Sequence, residues 1–414
     1  MNPLRQIEQE VLRRGQEWTR LELQKRLQGE CDAMPMECVQ TGQTLKNTRW
    51  REMELDTVVG KVRLQARHGF QVQQNKWICP ARVAWGLKPY ERKTLELQAR
   101  LAYTVTVVGS YAEAETMART WGTPVSDGGI HQQVQNLGAK AQTLELPTPA
   151  AEKSEPPFSM VLMMDGWMAR ERGADWGSGP RKKDPQRVEW REIKSAVIYR
   201  LEQRVENAAG RGLLLEKYTV ATPPETSPVE FGKQVHQEAL RRGLARAKVV
   251  YLVMDGAVWL WDLAQDRFKD AVKTLDFHHA REHLHAVAES LHGTGSAHSK
   301  EWLKEILHRL RHGKETQVVR ELEQLLESQG ERSPGHQEII AREVNYFKEH
   351  EDHLHYRTRD KEGTPMGSGA VESLGKQLQR RLRGCGQFWN RPGLTFLLRL
   401  SVLVKNHDHH HLWN

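Results

Sequence analysis

The chain has 414 residues, too many for one ordinary core, so two or three compact units are expected. Its 61 Lys and Arg against 53 Asp and Glu leave a net charge of +8, which favours an anionic partner, nucleic acid ahead of a membrane surface. Apolar residues at 38% exclude wholesale disorder, and Cys31, Cys38, Cys79 and Cys385, with no C-x-x-C pair, exclude a dense disulfide framework.

Residues 1–10 are polar and lack the apolar core of a signal peptide. Nowhere do the roughly 18 consecutive apolar residues of a membrane helix occur. The expectation is a soluble, cytoplasmic protein. Residues 3–30 are charged and helix-prone, and 1–52 is taken as an N-terminal helical segment. Residues 53–79 alternate as strands do, and the run Thr57 to Leu64 reads as one of them; the small β segment is set at 53–89. From Tyr90 the pattern turns helical. Tyr111 to Trp121 predicts one helix, and Ser126 caps a second that runs through Ile130, Val134 and Leu137 to an expected end at Gly138. Helix, short turn, helix is the layout of a helix-turn-helix DNA reader and equally of an ordinary helical hairpin, here over 90–142.

Pro147, Pro149, Pro156 and Pro157 give residues 143–157 the composition of a linker. Beyond it, Ser159 to Met164 is an apolar run ending in Asp165-Gly166. Strand-like stretches follow at 192–201 and 212–220, then a helix with Phe231, Val235, Ala239 and Leu240 on one side. Val249 to Met254 repeats the first pattern and ends in Asp255-Gly256, and residues 271–275 supply another short strand. Strands followed by strands alternating with helices predict a mixed α/β sheet covered on both faces. Residues 279–350 carry the helical period, as in Leu303, Ile306, Leu307 and Leu310. A last helical segment runs from Pro365 to Lys405.

Two strands that each finish in Met-Asp-Gly put two carboxylates at strand ends, where a sheet presents groups to a cleft. Taken singly, Asp-Gly is also a common turn. Glu372 lies on a helix whose apolar side is Val371, Leu374, Leu378 and Leu382, while Lys376, Arg380 and Arg383 share its polar side. From Ser373 to His407 there is no acidic residue. An acid bordered by cations suits a site that holds a phosphodiester backbone, although an i,i+4 Glu–Lys pair on a solvated face looks the same in sequence. Three carboxylates converging from distant points can hold a pair of Mg²⁺ ions that activate a water or 3′-hydroxyl and stabilise the leaving oxygen.

These residues in this order carry a resemblance. Asp165-Gly166-Trp167, Asp255-Gly256, the stretch Leu275-Asp276-Phe277-His278-His279-Ala280-Arg281-Glu282-His283-Leu284, Gly367-Ser368-Gly369-Ala370-Val371-Glu372-Ser373 and Arg380 to Trp389 resemble the ISKra-type bacterial insertion-sequence transposases, over residues 158–405. The resemblance implies a DDE enzyme that cleaves and joins DNA at the ends of an insertion sequence. Its catalytic and metal-binding triad is Asp165, Asp255 and Glu372. The implied fold is α/β and multidomain: an RNase H-like mixed sheet over 158–280 and 362–405, an all-α insertion at 281–361, and the helical N-terminal region with its small β segment. Asp276 and His279 are implied as a structural or DNA-positioning pair. The implied cofactor is Mg²⁺, two ions, with Mn²⁺ able to substitute. The implied partners are terminal inverted repeats and target DNA, bound by a homodimer or larger assembly near the nucleoid, without membrane or nucleotide cofactor. Lys376, Arg380 and Arg383 are the expected DNA-binding cations, and Trp389, flanked by cations, the expected base-stacking residue. The N-terminal half departs from the pattern: Cys38 and Cys79 each lack the second cysteine of a zinc ribbon, so no zinc is expected.

Rival readings are a transposase-derived DNA-binding protein that does not cut, and a zinc peptidase. The second rests on His279-Ala280-Arg281-Glu282-His283, which satisfies H-x-x-E-H but leaves both Met-Asp-Gly strand ends unexplained. Gly369 to Gln377 has neither the spacing nor the Ser or Thr of a P-loop. The His-rich end, His407 to His411, reads as a surface tail.

Overall fold

A computed structural model of the protein describes residues 2–38, 41–150, 156–174, 176, 187–208, 212–328 and 334–413; residues 151–155 of the expected linker lie outside them. The chain divides into two compact units, Met1–Leu144 with His407–Asn414, and Glu145–Asn406.

The first unit opens with α1 (Pro3–Ala33), started by Asn2, whose side chain accepts from the Leu4 amide, and by Pro3 in the first turn. Strands β1 (Lys46–Thr57), β2 (Gly60–Gln71) and β3 (Lys76–Ile78) form an antiparallel sheet. The C-terminal part of α1 packs on it through Cys31, with Met53, Leu55, Val62 and Leu64. Strand structure begins at Lys46, earlier than the alternation from 53 suggested. The run Thr57 to Leu64 is not one strand either. Val58 and Val59 make the turn of a hairpin, and Gly60 follows at φ 107°, a backbone that suits glycine. The Thr57 hydroxyl donates to the Gly60 carbonyl at 2.6 Å, so closure of the hairpin overrides the strand preference of two valines.

After α2 (Pro80–Ala84) come α3 (Leu95–Val107), α4 (Tyr111–Thr120) and α5 (Asp127–Gln142), which pack on one another. Ser110 and Ser126 cap α4 and α5 by accepting from the amides of Glu113 and Gly129. α5 continues past Gly138, its expected end, because Gly138 lies on the buried face, where packing offsets the helix cost of a glycine. The end of the chain is not a loose surface tail. Leu412 is fully buried, its carbonyl accepts from Lys140 Nζ, and Trp413 Nε1 donates to Gln98 Oε1 at 3.3 Å.

The second unit is built on β4 (Ser159–Arg172), β5 (Val188–Arg200), β6 (Arg204–Glu206), β7 (Gly212–Leu214), β8 (Tyr218–Thr222), α6 (Pro228–Arg241), β9 (Val249–Met254), α7 (Val258–Arg267) and β10 (Val272–Leu275). The main sheet has the order β10-β9-β4-β5-β8, with β5 antiparallel to both of its neighbours, β4 and β8, and β9 and β10 parallel to β4. The stretch 212–220, expected as one strand, divides: β7 pairs with β6 in a separate ribbon, and β8 joins the main sheet. β4 does not stop at Asp165. Its parallel pairing with β9 ends at Met163, but its antiparallel pairing with β5 continues to Arg172.

Strand alternation sorts the sheet's two faces. Met160, Leu162 and Met164 join Phe231 and Val235 of α6 and Leu260 and Leu263 of α7 in one core. On the other face, β4 and β5 are covered by α13 (Gly369–Leu382), and β4 and β8 by α14 (Arg391–Lys405). Asn406, just past α14, clamps β8 through the backbone N–H and carbonyl of Thr219. Between β10 and α13 lie α8 (Phe277–His292), α9 (Ala297–Arg311), α10 (Glu315–Glu327), α11 (Pro334–Glu349) and the short α12 (Tyr356–Lys361). They share a core that includes Leu284, Ile306, Leu322, Val344 and Phe347. Among the described residues, no helix is long and apolar enough to cross a membrane.

Candidate active site

Met163 of β4 pairs with Val253 of β9, and Asp165 and Asp255 each stand two residues further along. The two carboxylates therefore occupy equivalent places on neighbouring parallel strands. By alternation they share the face that Met163, Val253 and Trp167 occupy, which on β4 lies beneath α13. One strand further, Leu275 pairs with Met254, so Asp276 continues the row.

The three aspartates have different surroundings. Asp276 is fully buried, and its Oδ1 accepts from the amides of His278 at 2.6 Å and His279 at 3.0 Å, starting α8. Its Oδ2 accepts from the Ser368 amide, and the neighbouring Phe277 amide donates to the Met366 carbonyl at 2.9 Å. One carboxylate thus starts α8 and fastens the residue preceding α13 to the sheet edge. Asp255 Oδ1 accepts from the Ala257 amide at 2.9 Å, and its carbonyl from Trp261 Nε1 at 2.8 Å. Asp165 Oδ1 accepts from the Gly166 amide at 2.7 Å. Burial pushes the Asp165 carboxyl up to about 6; the Gly166 amide opposes this, Asp255 adds to it, His279 opposes it and Glu372 adds to it.

Glu372 is in the first turn of α13, where an acid also suits the helix dipole. Lys376 Nζ donates to its Oε2 at 3.3 Å, and the Ser368 hydroxyl lies 3.5 Å from its Oε1. The helix approaches the sheet closely at Gly375, where an added Cβ would touch Trp167 Cδ1 at 3.6 Å. Trp167 is in turn fixed by its Nε1 donating to Ser195 Oγ at 2.9 Å.

Lys376 and Arg380 are exposed on α13 and Arg383 is exposed at its C-cap, where it stands 4.8 Å from the centre of the Trp190 ring. Trp389 is half-buried. Its Nε1 donates to the Leu382 carbonyl at 2.7 Å, and its backbone exchanges hydrogen bonds with Arg170 and Arg172 along the edge of β4. Sequence reasoning missed Arg170, which donates to the carbonyls of Arg383 and Gly384, and Arg172, which donates to that of Phe388. It also missed the support beneath Asp255. Tyr346 of α11 covers Gly256, stacks on His283 at 3.7 Å, and His283 Nδ1 meets the buried Glu343. The only sequence signal for that stack was the H-x-x-E-H spacing. In the structure, Glu282 faces His279 at 3.8 Å from an exposed position, while His283 is engaged with α11.

The donors suit a hard divalent cation, which takes oxygen ligands. Asp165 is raised partly by the negative charge of Asp255 and Glu372, a repulsion that a cation relieves. As placed, the carboxylates are neighbours rather than a closed ligand shell: among the described residues, no three His, Cys, Asp or Glu are grouped closely enough to hold an ion.

No protein-family model matches the sequence, and no curated protein matches it. Among solved structures, the chain is similar to the Drosophila P element transposase strand transfer complex, at 10% identity and a TM-score of 0.35, over 75% of this chain and 92% of that one. At that score the likeness carries no argument about this chain.

Proposed function

We propose that the protein is a DDE-type DNA transposase of the ISKra kind, with an RNase H-like catalytic unit, and that Asp165, Asp255 and Glu372 are its catalytic acids. The observation that carries this reading is the register of β4 with β9, which sets Asp165 and Asp255 side by side next to the helix that presents Glu372. The mixed sheet, antiparallel on one side of β4 and parallel on the other, supports the fold assignment. Asp165, Asp255 and Glu372 would hold Mg²⁺, or Mn²⁺ in its place; a pair of such ions, when bound, supplies Lewis-acid activation of the attacking hydroxyl and stabilisation of the leaving oxygen. The chain's own contribution is orientation and charge. Asp276 positions α13, Trp261 and Tyr346 brace the Asp255-Gly256 turn, and Lys376, Arg380 and Arg383 offer cations for phosphates beside the scissile bond. α4 and α5 are the proposed reader of terminal inverted repeats.

A homodimer on DNA is supported by α1. Leu4, Ile7, Val11, Trp18 and Leu21 are exposed at three-, four- and seven-residue spacings, the seam of a two-stranded coiled coil. Asp165→Asn, Asp255→Asn and Glu372→Gln are each expected to abolish Mg²⁺-dependent cleavage of transposon ends while leaving DNA binding within about threefold. Mg²⁺ is expected to raise the unfolding midpoint of the native chain and not of these variants, since an ion bound only by the folded state stabilises it. Near-normal cleavage by any one of them would remove that residue from the triad.

A further inference from the structure

A cavity of about 850 Å³ opens between α8 and α9. Arg281 and His285 line it from α8, one helical turn apart, and Lys300, Lys304, His308 and Arg311 line it from α9. Leu303 and Leu307 contribute apolar wall, and Phe277 lines the end nearest the sheet. Asp360 is the one acid in the lining, and it stands 3.8 Å from Arg311. Arg281, Lys300 and Lys304 are exposed and have no ion pair or hydrogen bond from their side chains among the described residues. Three unpaired cations converging across one groove repel one another, a cost that an anion removes.

We infer that this groove binds the phosphate backbone of duplex DNA, as a second contact surface separate from the α13 stripe. The inference rests on the reading of the chain as a DNA-acting enzyme. The groove starts where α8 starts, at Asp276 in the aspartate row. At 1.5 Å per residue, Arg281 and His285 lie roughly 7 and 13 Å along the helix axis from that point. With one phosphate per 3.4 Å of duplex axis on each strand, those distances correspond to about two to four base pairs. DNA engaged at the carboxylates would therefore lay its flanking phosphates along α8 and α9. Contacts of this kind carry charge and no base readout, so they hold the duplex in place regardless of sequence.

The test uses the full chain with Arg281→Gln, Lys300→Gln and Lys304→Gln combined, alongside a charge-keeping variant, Arg281→Lys, Lys300→Arg and Lys304→Arg. Binding to a random-sequence duplex is measured across a salt series. The native chain should show a steep salt dependence, the Gln variant a slope shallower by about two to three, and the charge-keeping variant the native slope. At a fixed moderate salt, the Gln variant should bind at least tenfold more weakly, with its unfolding midpoint unchanged. A native slope in the Gln variant would overturn the groove as a DNA surface and leave the transposase reading standing. Absence of DNA binding by the native chain would instead bring down that underlying reading. Inorganic phosphate serves as the probe for a small-anion site. If it stabilises the native chain but not the Gln variant, while both bind duplex with the same slope, the groove is a small-anion site and the duplex assignment falls.

Discussion

Asp276 has no exposed surface, and its carboxylate accepts from three backbone amides, those of His278, His279 and Ser368. An anionic acceptor for amides at a helix start is among the stronger caps, and each buried donor left without a partner costs about 1–3 kcal/mol. Asp276→Ala is therefore expected to destabilise the chain by about 3 kcal/mol or more in urea unfolding, with Asp276→Asn falling between it and the native chain. A loss below about 1 kcal/mol for the alanine variant would mean that the cap does not tie α13 to the sheet. His353 invites a test of a different kind. Burial against Trp261, with His350, Lys273 and His355 nearby and only Asp352 opposing, lowers its imidazole from the usual 6.5 to about 4. The unfolded chain then binds the extra proton between pH 6.5 and 4, so stability falls as pH drops through that window and levels off below it. His353→Phe keeps the ring stack but removes the titration. The difference in unfolding free energy between native and variant chains should change between pH 7 and 4 in the direction that favours the variant at low pH. A pH-independent difference would show that His353 does not titrate in this way.

On α13 the helical period was legible in full: Val371, Leu374, Leu378 and Leu382 are buried, and Lys376, Arg380 and Arg383 are exposed. On the proposed function, replacing those three cations with Gln should leave stability nearly unchanged and flatten the salt dependence of DNA binding by about two to three units, because each would neutralise a phosphate and none supports the core. An unchanged slope would leave the face merely solvated. The apolar runs that lead to Asp165 and Asp255 were legible for a similar reason: a strand buried on both faces writes itself as a continuous apolar stretch. What sequence could not convey was pairing. β4 passes through Asp165 because β5, the next strand in the chain, continues alongside it to Arg172, a register that the apolar run ending at Met164 does not encode. Gly60 closes a hairpin that local alternation hides, since two valines sit where a turn is made. The covering of Gly256 by Tyr346 was equally hidden, because α11 lies some ninety residues beyond the strand it supports.

At the scale of the whole chain, the division into units does not follow sequence order, because the last eight residues belong with the first unit. Their anchor is specific. Leu412 is fully buried, Lys140 of α5 donates to its carbonyl, and Trp413 reaches Gln98 of α3, which also accepts from Gln133 of α5. Burying a leucine contributes about 1.5–3 kcal/mol, and the polar contacts add to it. α5 belongs to the proposed DNA reader and α3 packs against it, so these last residues brace the element expected to recognise sequence. Removing residues 407–414 leaves Asn406 and its clamp on β8 intact. The truncated chain should therefore show faster amide exchange across α3 and α5, by tenfold or more, with exchange in β4, β5 and β9 unchanged. Cleavage of non-cognate duplex should persist while preference for the transposon ends declines. Equal exchange in α3 and α5 with and without the tail would show that these contacts contribute nothing to the reader. Faster exchange in the sheet as well would mean that the tail does not act on α3 and α5 alone.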